Sequence, residues 1–481
     1  MTQDDDSLYR AVVARDYRFD GKFVVGVKTT GVYCRPICPA KPKRENVEFF
    51  ASPGAAERAG YRPCLRCRPE CAPEGVGLHA GSETVRRGLQ RIAANEFAGA
   101  GEEAFAARLG VTARHLRRMF VSELGQTPKQ VADAHRLNFA RKLVVETGLP
   151  LTRVAHAAGF GSLRRFNDAF LRRFGRNPSA LRKGKRQEEK GTLEITLAYR
   201  PPYDWKAIHA FFAAHEVPGL ERIQEGTYER LFCIGGTTGV MTLAPDPERP
   251  ALRMRVIAGD PAVLLDLTHR VRRMFDLDAD PLLVANSFGE VPIMRELAAK
   301  HPGLRIPRCF DPFETAVCAI LGQLVSLEYA RTLAGQVVAH YGEEAVHPLT
   351  GAPVRLFPTA ERLAAADLAG VKTTGARKEA IRTFSRRVLE GGISLSEAQD
   401  PGAFRAALLE IPGIGPWTAQ YMSLRCIADT DAFPATDLIL KRALELHAAI
   451  DLTPVKPWRG YAAIYLWKEY AQSLSKRKER A

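Results

Sequence analysis

Four cysteines set the first constraint on this chain. Cys34 and Cys38 stand in GVYCRPICPA, and Cys64 and Cys67 stand in RPCLRCRPE, with 25 residues between the pairs. Pro36 and Pro39 fix their own φ angles and push the residues before them out of the helical region. Extended backbone is therefore expected to aim the first two thiols at one point. Two such pairs have the spacing of Zn²⁺ ligands, which close a tetrahedral site with four thiolates. The segment 1–75 is rich in Pro and Gly, with short apolar runs such as KFVVGVKTTGVYC. It reads as a strand-and-loop module too thin to hold itself together without a staple, and a metal would supply the missing folding energy. Spacing alone favours a purely structural zinc.

Composition matters for placing the rest. A chain of 481 residues is too long for one core, so three or four domains are expected. The start, MTQDDDSLYR, is acidic and polar, which reads as no signal peptide, and no apolar run is long enough to span a bilayer. Nine cysteines in such a chain point to a reducing compartment and to metal or catalytic use over disulfides. The net charge of +15 is uneven: 76–190 holds 22 basic and 10 acidic residues, whereas 191 onward holds 34 of each. That local excess suits a polyanion-binding module; from charge alone a solvated basic surface stays equally open. Residues 82–183 read as all helix, and RKGKRQEEKG (182–191) as a linker. GTLEITLAYRPPYDW, RLFCIGGTTGVMTLA and LRMRVIA read as strands, which with a helix at 205–214 make an α+β domain to about 305. Helices dominate again from 311, broken at IPGIGPWTAQ.

FDGKFVVGVKTTGVYCRPICPAKPKRENVEFF and AGYRPCLRCRPE closely resemble the N-terminal domain of the Ada adaptive-response family over nearly all of 8–70. The resemblance implies that Cys34 accepts a methyl group from a methylphosphotriester in alkylated DNA, with Cys38, Cys64 and Cys67 completing the zinc site. The chemistry is coherent. Zinc keeps the sulfur deprotonated at neutral pH, and a thiolate attacks a methyl carbon in one displacement. Methylating one of four thiolates lowers the negative charge of the site, so repair raises affinity for DNA. A thioether has no easy reverse, which makes this a one-shot acceptor. Cys71 falls outside the quartet and reads as a spare thiol.

FAARLGVTARHLRRMFVSELGQTP has the form helix, Gly-containing turn, helix, with Thr112 as N-cap, and LTRVAHAAGFGSLRRFNDAFLRRFGRNPSALR repeats it with Ser162 as cap. Joined by a helix over 130–146, the two units resemble the AraC-type DNA-binding domain across 83–183. Recognition helices turn N-terminal side chains toward base edges. The candidates are Ala113, Arg114 and Arg117 in the first unit, and Leu163, Arg164 and Asn167 in the second. Some of these arginines are expected to touch only phosphate.

In IPGIGPWTAQYM (411–422), Gly413 and Gly415 permit a tight turn between helices whose free amides hold a DNA phosphate, with a monovalent cation as a possible companion. FPATDLILKRAL then places Asp437 at a helix start. With DPFETAVCAILGQLVS, FPTAERLAAAD and KPWRGYAAIYLW, this is similar to the helix-hairpin-helix superfamily, specifically the AlkA-type 3-methyladenine DNA glycosylases, over 306–470, and more faintly over 192–305. The resemblance makes Asp437 the catalytic carboxylate, Gln323 and Leu324 the residues entering the duplex, and Trp417, Tyr421 and Trp458 the aromatic lining of the base pocket. Such an enzyme flips the nucleotide out. Electron-rich rings favour a cationic alkylated base by roughly 0.5–2 kcal/mol per contact. Asp437 would stabilise the oxocarbenium-like sugar or orient the attacking water; both roles stay open. Pro416 and Trp417 stand where bifunctional relatives carry a lysine, so no strand cleavage is expected. No cysteine follows Cys426, so no iron–sulfur cluster is expected. Cys233, Cys309, Cys318 and Cys426 read as buried or incidental.

The fold class expected is multidomain α+β: a zinc-stapled module (1–75), an all-α double helix-turn-helix domain (82–183), an α+β domain (192–305) and a mostly α glycosylase domain (306–481). The function implied is a DNA-3-methyladenine glycosylase, hydrolysing N-glycosyl bonds, fused to a methylphosphotriester-sensing transcriptional activator. Its expected partners are double-stranded DNA and RNA polymerase, with no membrane, as a monomer in a bacterial cytoplasm at the nucleoid. The family's Pro-Cys-His-Arg methyltransferase motif is absent, so direct repair of O6-methylguanine is not expected. Two rivals compete: a regulator whose glycosylase half is inactive, and a zinc-stabilised DNA-binding protein that accepts no methyl.

Overall fold

The computed structural model describes residues 5–73, 82–97, 101–182, 191–445 and 450–479; the expected linker falls almost wholly outside them. The first module is a four-stranded sheet in the order Val47–Phe50, Val24–Val27, Val32–Cys34, Arg62–Pro63. Two helices that the Pro/Gly-rich composition hides, Asp5–Ala14 and Pro53–Arg58, pack on it. Its cores are small clusters such as Leu8, Val12, Phe23 and Val25, which is why a staple matters here.

The helical segment forms the two expected units. Glu83–Ala93, Gly101–Ala107 and Ala113–Leu124 surround a core of Val85, Phe105, Leu116 and Phe120, and Thr112 caps the third of these helices by accepting the His115 amide at 3.3 Å. Leu151–Ala157 and Leu163–Phe174 form the second unit. Ser162 sits at the N-cap position but, contrary to expectation, makes no capping hydrogen bond with its side chain. The long helix Pro128–Glu146 joins the units and opens with a capping box between Thr127 and Gln130.

A five-stranded antiparallel sheet follows, ordered Leu193–Ala198, Ala251–Ala258, Thr237–Pro245, Thr227–Ile234, Glu221–Gln224. Leu193, Ile195 and Leu197 alternate inward, as a half-buried strand requires. Among the described residues, the remaining regular structure is helical apart from a hairpin, Glu343–Val346 with Pro353–Leu356, that the sequence pattern does not announce.

The cores do not follow the segment boundaries at 183/192 and 305/306. One cluster runs from Leu143, Phe166 and Phe170 of the second helix-turn-helix unit into Ile195, Met254 and Phe275 of the sheet domain. Another unites Phe288 and Met294, before residue 305, with Leu440, Tyr461 and Leu466 of the last helices. Burying each large side chain contributes about 1.5–3 kcal/mol, so these shared cores weld neighbouring segments together. By contrast, the helices around Val317, Phe384, Leu408 and Met422 keep a core to themselves.

Candidate metal centre, DNA-reading helices and base-excision site

Strand pairing assembles the cysteines. Val32–Cys34 and Arg62–Pro63 run parallel, and the Cys64 amide donates to Tyr33 O at 2.9 Å, which sets Cys64 beside Cys34. Cys38 follows a turn closed by its own amide on Arg35 O at 3.1 Å, with Pro36 at the second turn position. Cys34 thus ends an extended strand, and the turn Arg35–Cys38 brings the second thiol back toward it. The four Sγ atoms lie within 4.8 Å of one another, and every one of these residues is under a tenth exposed. A tetrahedral ZnS₄ site with bonds of about 2.3 Å has sulfur–sulfur edges of about 3.8 Å, so the cluster fits zinc. Amides of Arg35 and Arg66 point at Cys67 Sγ (3.3 Å) and Cys64 Sγ (3.4 Å), as thiolate acceptors favour. Burial opposes the charge on Arg35, but the Asp20 carboxylate paired with it pushes its pKa up.

Buried polar groups tie this centre to the rest. Arg141, on the joining helix, donates to Cys64 O at 3.0 Å. Glu146 ends that helix and accepts from Arg68 at 3.0 Å and from the Thr196 amide at 2.9 Å, while Lys142 donates to Thr196 O. The outer edge of the five-stranded sheet is thereby capped by one turn of helix. Arg200, fully buried, donates to Asp20 O, Pro73 O and Asp278 O at 2.7–3.1 Å. A Cβ on Gly21 would meet Pro73 O at 2.2 Å, so only glycine fits that contact.

In the helices expected to read DNA, Arg114 and Arg164 are exposed and Ala113 is half-buried. Arg117 is exposed but paired with Glu102 at 2.7 Å, and Leu163 is 38% exposed. Asn167 is half-buried with its Oδ1 shielded from solvent, so its carbonyl does not face outward for base reading. A cleft of about 940 Å³ separates the zinc module from the helix-turn-helix units and is lined by Arg62, Lys129, Arg136, Arg165 and Arg172. Of these, none stands among the sequence candidates; their charge run is the signal that could have found them.

At the hairpin, Gly413 takes φ +91°, which demands glycine, whereas Gly415 is extended and serves as N-cap of Pro416–Cys426. Asp437 lies just before Leu438–Glu445 and is half-buried. Its Oδ1 accepts the Leu440 amide at 2.8 Å, so it is indeed a cap. It is also held by two indoles: Trp417 Nε1 donates to Oδ2 at 2.7 Å and Trp467 Nε1 to Oδ1 at 3.0 Å. Trp417 stacks on Tyr421 with ring centres 5.1 Å apart and 10° between planes. Arg425 donates to the Tyr421 hydroxyl and stacks at 5.4 Å from its ring and 4.7 Å from that of Phe211, in the α+β segment. Trp458 does not join this group. It packs edge-on to Tyr461 at 5.9 Å, and the second indole at Asp437 is Trp467, although both tryptophans rest against the same C-terminal core. The two tryptophans lie nine positions apart in KPWRGYAAIYLW, and only the fold tells them apart. Leu324 is fully exposed; Gln323 is half-buried, with its amide donated to Gly413 O and Thr418 Oγ1.

Family models match three parts of the chain: the metal binding domain of Ada at 7–70, a helix-turn-helix domain at 105–184 and the AlkA N-terminal domain at 194–311. A Mycobacterium tuberculosis protein described as a probable bifunctional transcriptional activator/DNA repair enzyme AlkA is 38% identical, with 97% of each chain aligned. The chain belongs to that family. Members' constituent parts are recognisable separately. The Escherichia coli DNA-3-methyladenine glycosylase 2 is 36% identical over 56% of this chain and 96% of its own. The E. coli bifunctional transcriptional activator/DNA repair enzyme Ada is 36% identical over 32% of this chain and 43% of its own. Asp437 and the hairpin lie beyond the matched models but inside the span shared with the full-length AlkA-family relative. Among the described residues no helix is long and apolar enough to cross a membrane.

Proposed function

We propose that this AlkA-family chain senses and repairs alkylated DNA with three devices in one molecule. The glycosylase half hydrolyses the bond between sugar and alkylated base, taking 3-methyladenine as its type substrate. Asp437 carries this reading. Two indoles and a helix amide hold its carboxylate in place beside the Trp417–Tyr421 stack, and positively charged bases favour such rings. As the C1′–N bond breaks, its electron pair leaves with the base and neutralises it; water adds its oxygen to C1′ and gives its proton to solvent, while Asp437 stabilises the sugar cation. Pro416 and Trp417 offer no amine at the hairpin, which supports release of the base without strand cleavage. Phosphate would rest on the hairpin at Gly413 and Gly415, with Leu324 entering the duplex.

In the zinc module, Cys34 is the acceptor. Its sulfur forms a bond to the methyl carbon while the carbon–oxygen bond of the phosphotriester breaks, leaving a phosphodiester. Zinc, when bound by Cys34, Cys38, Cys64 and Cys67, supplies the deprotonated sulfur. The helix-turn-helix units carry the signal to promoter DNA through Arg114 and Arg164, and RNA polymerase is the partner of an activator of this type.

Two measurements test the reading. Methylated DNA incubated with the protein is expected to release 3-methyladenine as free base, resolved by chromatography and mass spectrometry. Peptide mapping after exposure to methylphosphotriester DNA is expected to find one added methyl, on Cys34. A methyl on another cysteine would reassign the acceptor, and no released base would remove the enzyme.

A further inference from the structure

Leu324 stands apart from the other apolar side chains. It is 101% exposed, and its backbone lies at φ +52°, in the left-handed region that a leucine seldom occupies. A strained, solvent-facing residue keeps such a conformation only where its surroundings over-determine it. Three contacts do so here. Gln323 Nε2 donates to Gly413 O and to Thr418 Oγ1, both at 2.9 Å. Gln323 O accepts from the Arg377 guanidinium. Arg377 belongs to the helix Gly375–Leu389, and Ala380 of the same helix sits 3.5 Å from where a Cβ on Gly413 would stand. The Leu324 loop, the hairpin and this helix therefore close a triangle. Thr418 is 3% exposed, so it is out of reach of any duplex.

We infer that Gln323, Thr418 and Arg377 are positioning residues, a brace that presents Leu324 to the duplex and locks its place to the phosphate-binding hairpin. This rests on the glycosylase reading and assigns Gln323 a task other than insertion. The brace orders the wedge before DNA arrives, so inserting it loses little conformational entropy. It also makes phosphate contact at Gly413 and entry of Leu324 one rigid event, since the glycine's own carbonyl is a corner of the triangle.

The test uses the full chain and a duplex with one 7-methylguanine, a positively charged alkylated purine of the class proposed above, beside 2-aminopurine, whose fluorescence rises when the neighbouring base leaves the stack. Thr418→Val keeps the shape and removes the acceptor; it is expected to lower the flipped fraction about three- to tenfold, the range of one net hydrogen bond. Thr418→Ser, which keeps the hydroxyl, is expected to match wild type, and Arg377→Met to fall like Thr418→Val. Leu324→Ala is expected to fall as well, and Thr418→Val/Leu324→Ala to fall no further than Leu324→Ala alone. Hydrogen exchange of the free protein at 323–325 is expected to quicken in Thr418→Val. The brace is overturned if Thr418→Val flips and exchanges like wild type, if Thr418→Ser fails as badly as Thr418→Val, or if the two losses multiply in the double variant. Failure of the glycosylase reading would look different: wild type itself would flip and release nothing, and the exchange measurement alone would then decide whether the brace exists.

Discussion

Replacing Asp437 with asparagine should do two separable things. Three donors surround the carboxylate: Leu440 N–H and Trp467 Nε1 on Oδ1, and Trp417 Nε1 on Oδ2 at 2.7 Å. The substituted amide can keep the first two on its oxygen, but its NH₂ then faces the Trp417 N–H, donor against donor. Losing a hydrogen bond to a charged group costs about 1.5–3 kcal/mol, and that part should appear as lowered stability. The missing charge is a separate loss. A carboxylate about 4 Å from the developing sugar cation, at an effective dielectric of about 20, is worth about 4 kcal/mol, or roughly a thousandfold in rate. Single-turnover release of 7-methylguanine from a defined duplex should therefore fall about 10³-fold in Asp437→Asn. Adding Trp417→Phe removes the opposing donor. The double variant should recover thermal stability while its rate stays low. A rate within tenfold of wild type for Asp437→Asn would refute electrostatic stabilisation by this carboxylate. Recovery of rate along with stability in the double variant would show that only the geometry of the pocket had been lost.

Other expectations follow from the buried junctions. Glu146→Ala leaves Arg68, Lys142 and the Thr196 amide facing a void and should destabilise the protein by about 3–5 kcal/mol in chemical denaturation. Burial acts to raise the Glu146 pKa, but Lys142 and Arg68 prevail and hold it below the ordinary value. Its contribution is thus complete above the unfolded glutamate value of about 4.3 and fades as pH falls through the lower folded value; the acid limb of a stability–pH curve should flatten in Glu146→Gln. Burial, with Arg425 nearby, pushes His215 down to about 4. The unfolded ring binds its proton first, near 6.5, so stability present above that pH should drop by about 2–3 kcal/mol between pH 6.5 and 4, and His215→Phe should lose this slope. Removing zinc with a chelator should open the four-thiol cluster, free the Cys64 carbonyl from Arg141, and speed amide exchange in 193–198, read by mass spectrometry. Unchanged exchange there would mean that the edge strand does not depend on the metal module.

Local chemistry determined much of this protein. Cysteine spacing, the Gly-x-Gly hairpin and the two helix-turn-helix patterns are short-range features, each legible because a few residues must satisfy one ligand field, one left-handed turn or one amphipathic period. Asp437 was legible only through the family resemblance, since an aspartate at a helix start reads locally as a cap. Residues whose importance comes from distant partners were not visible. Trp467 and Trp458 share a helical neighbourhood in sequence, and only packing turns one indole to Asp437 and the other edge-on to Tyr461. Gln323 is paired with Leu324 as a duplex-entering residue by resemblance, and nothing local shows that Thr418 and Gly413, some ninety positions later, take its amide. Glu146, Arg141 and Arg200 look like ordinary surface charges in the chain; burial is possible for them because carbonyls and amides from other segments supply their hydrogen bonds. The sequence also divides the chain into four pieces. The tertiary structure instead spreads two cores across those divisions, because apolar faces bury wherever a complementary face lies, irrespective of the order in which the chain reaches them.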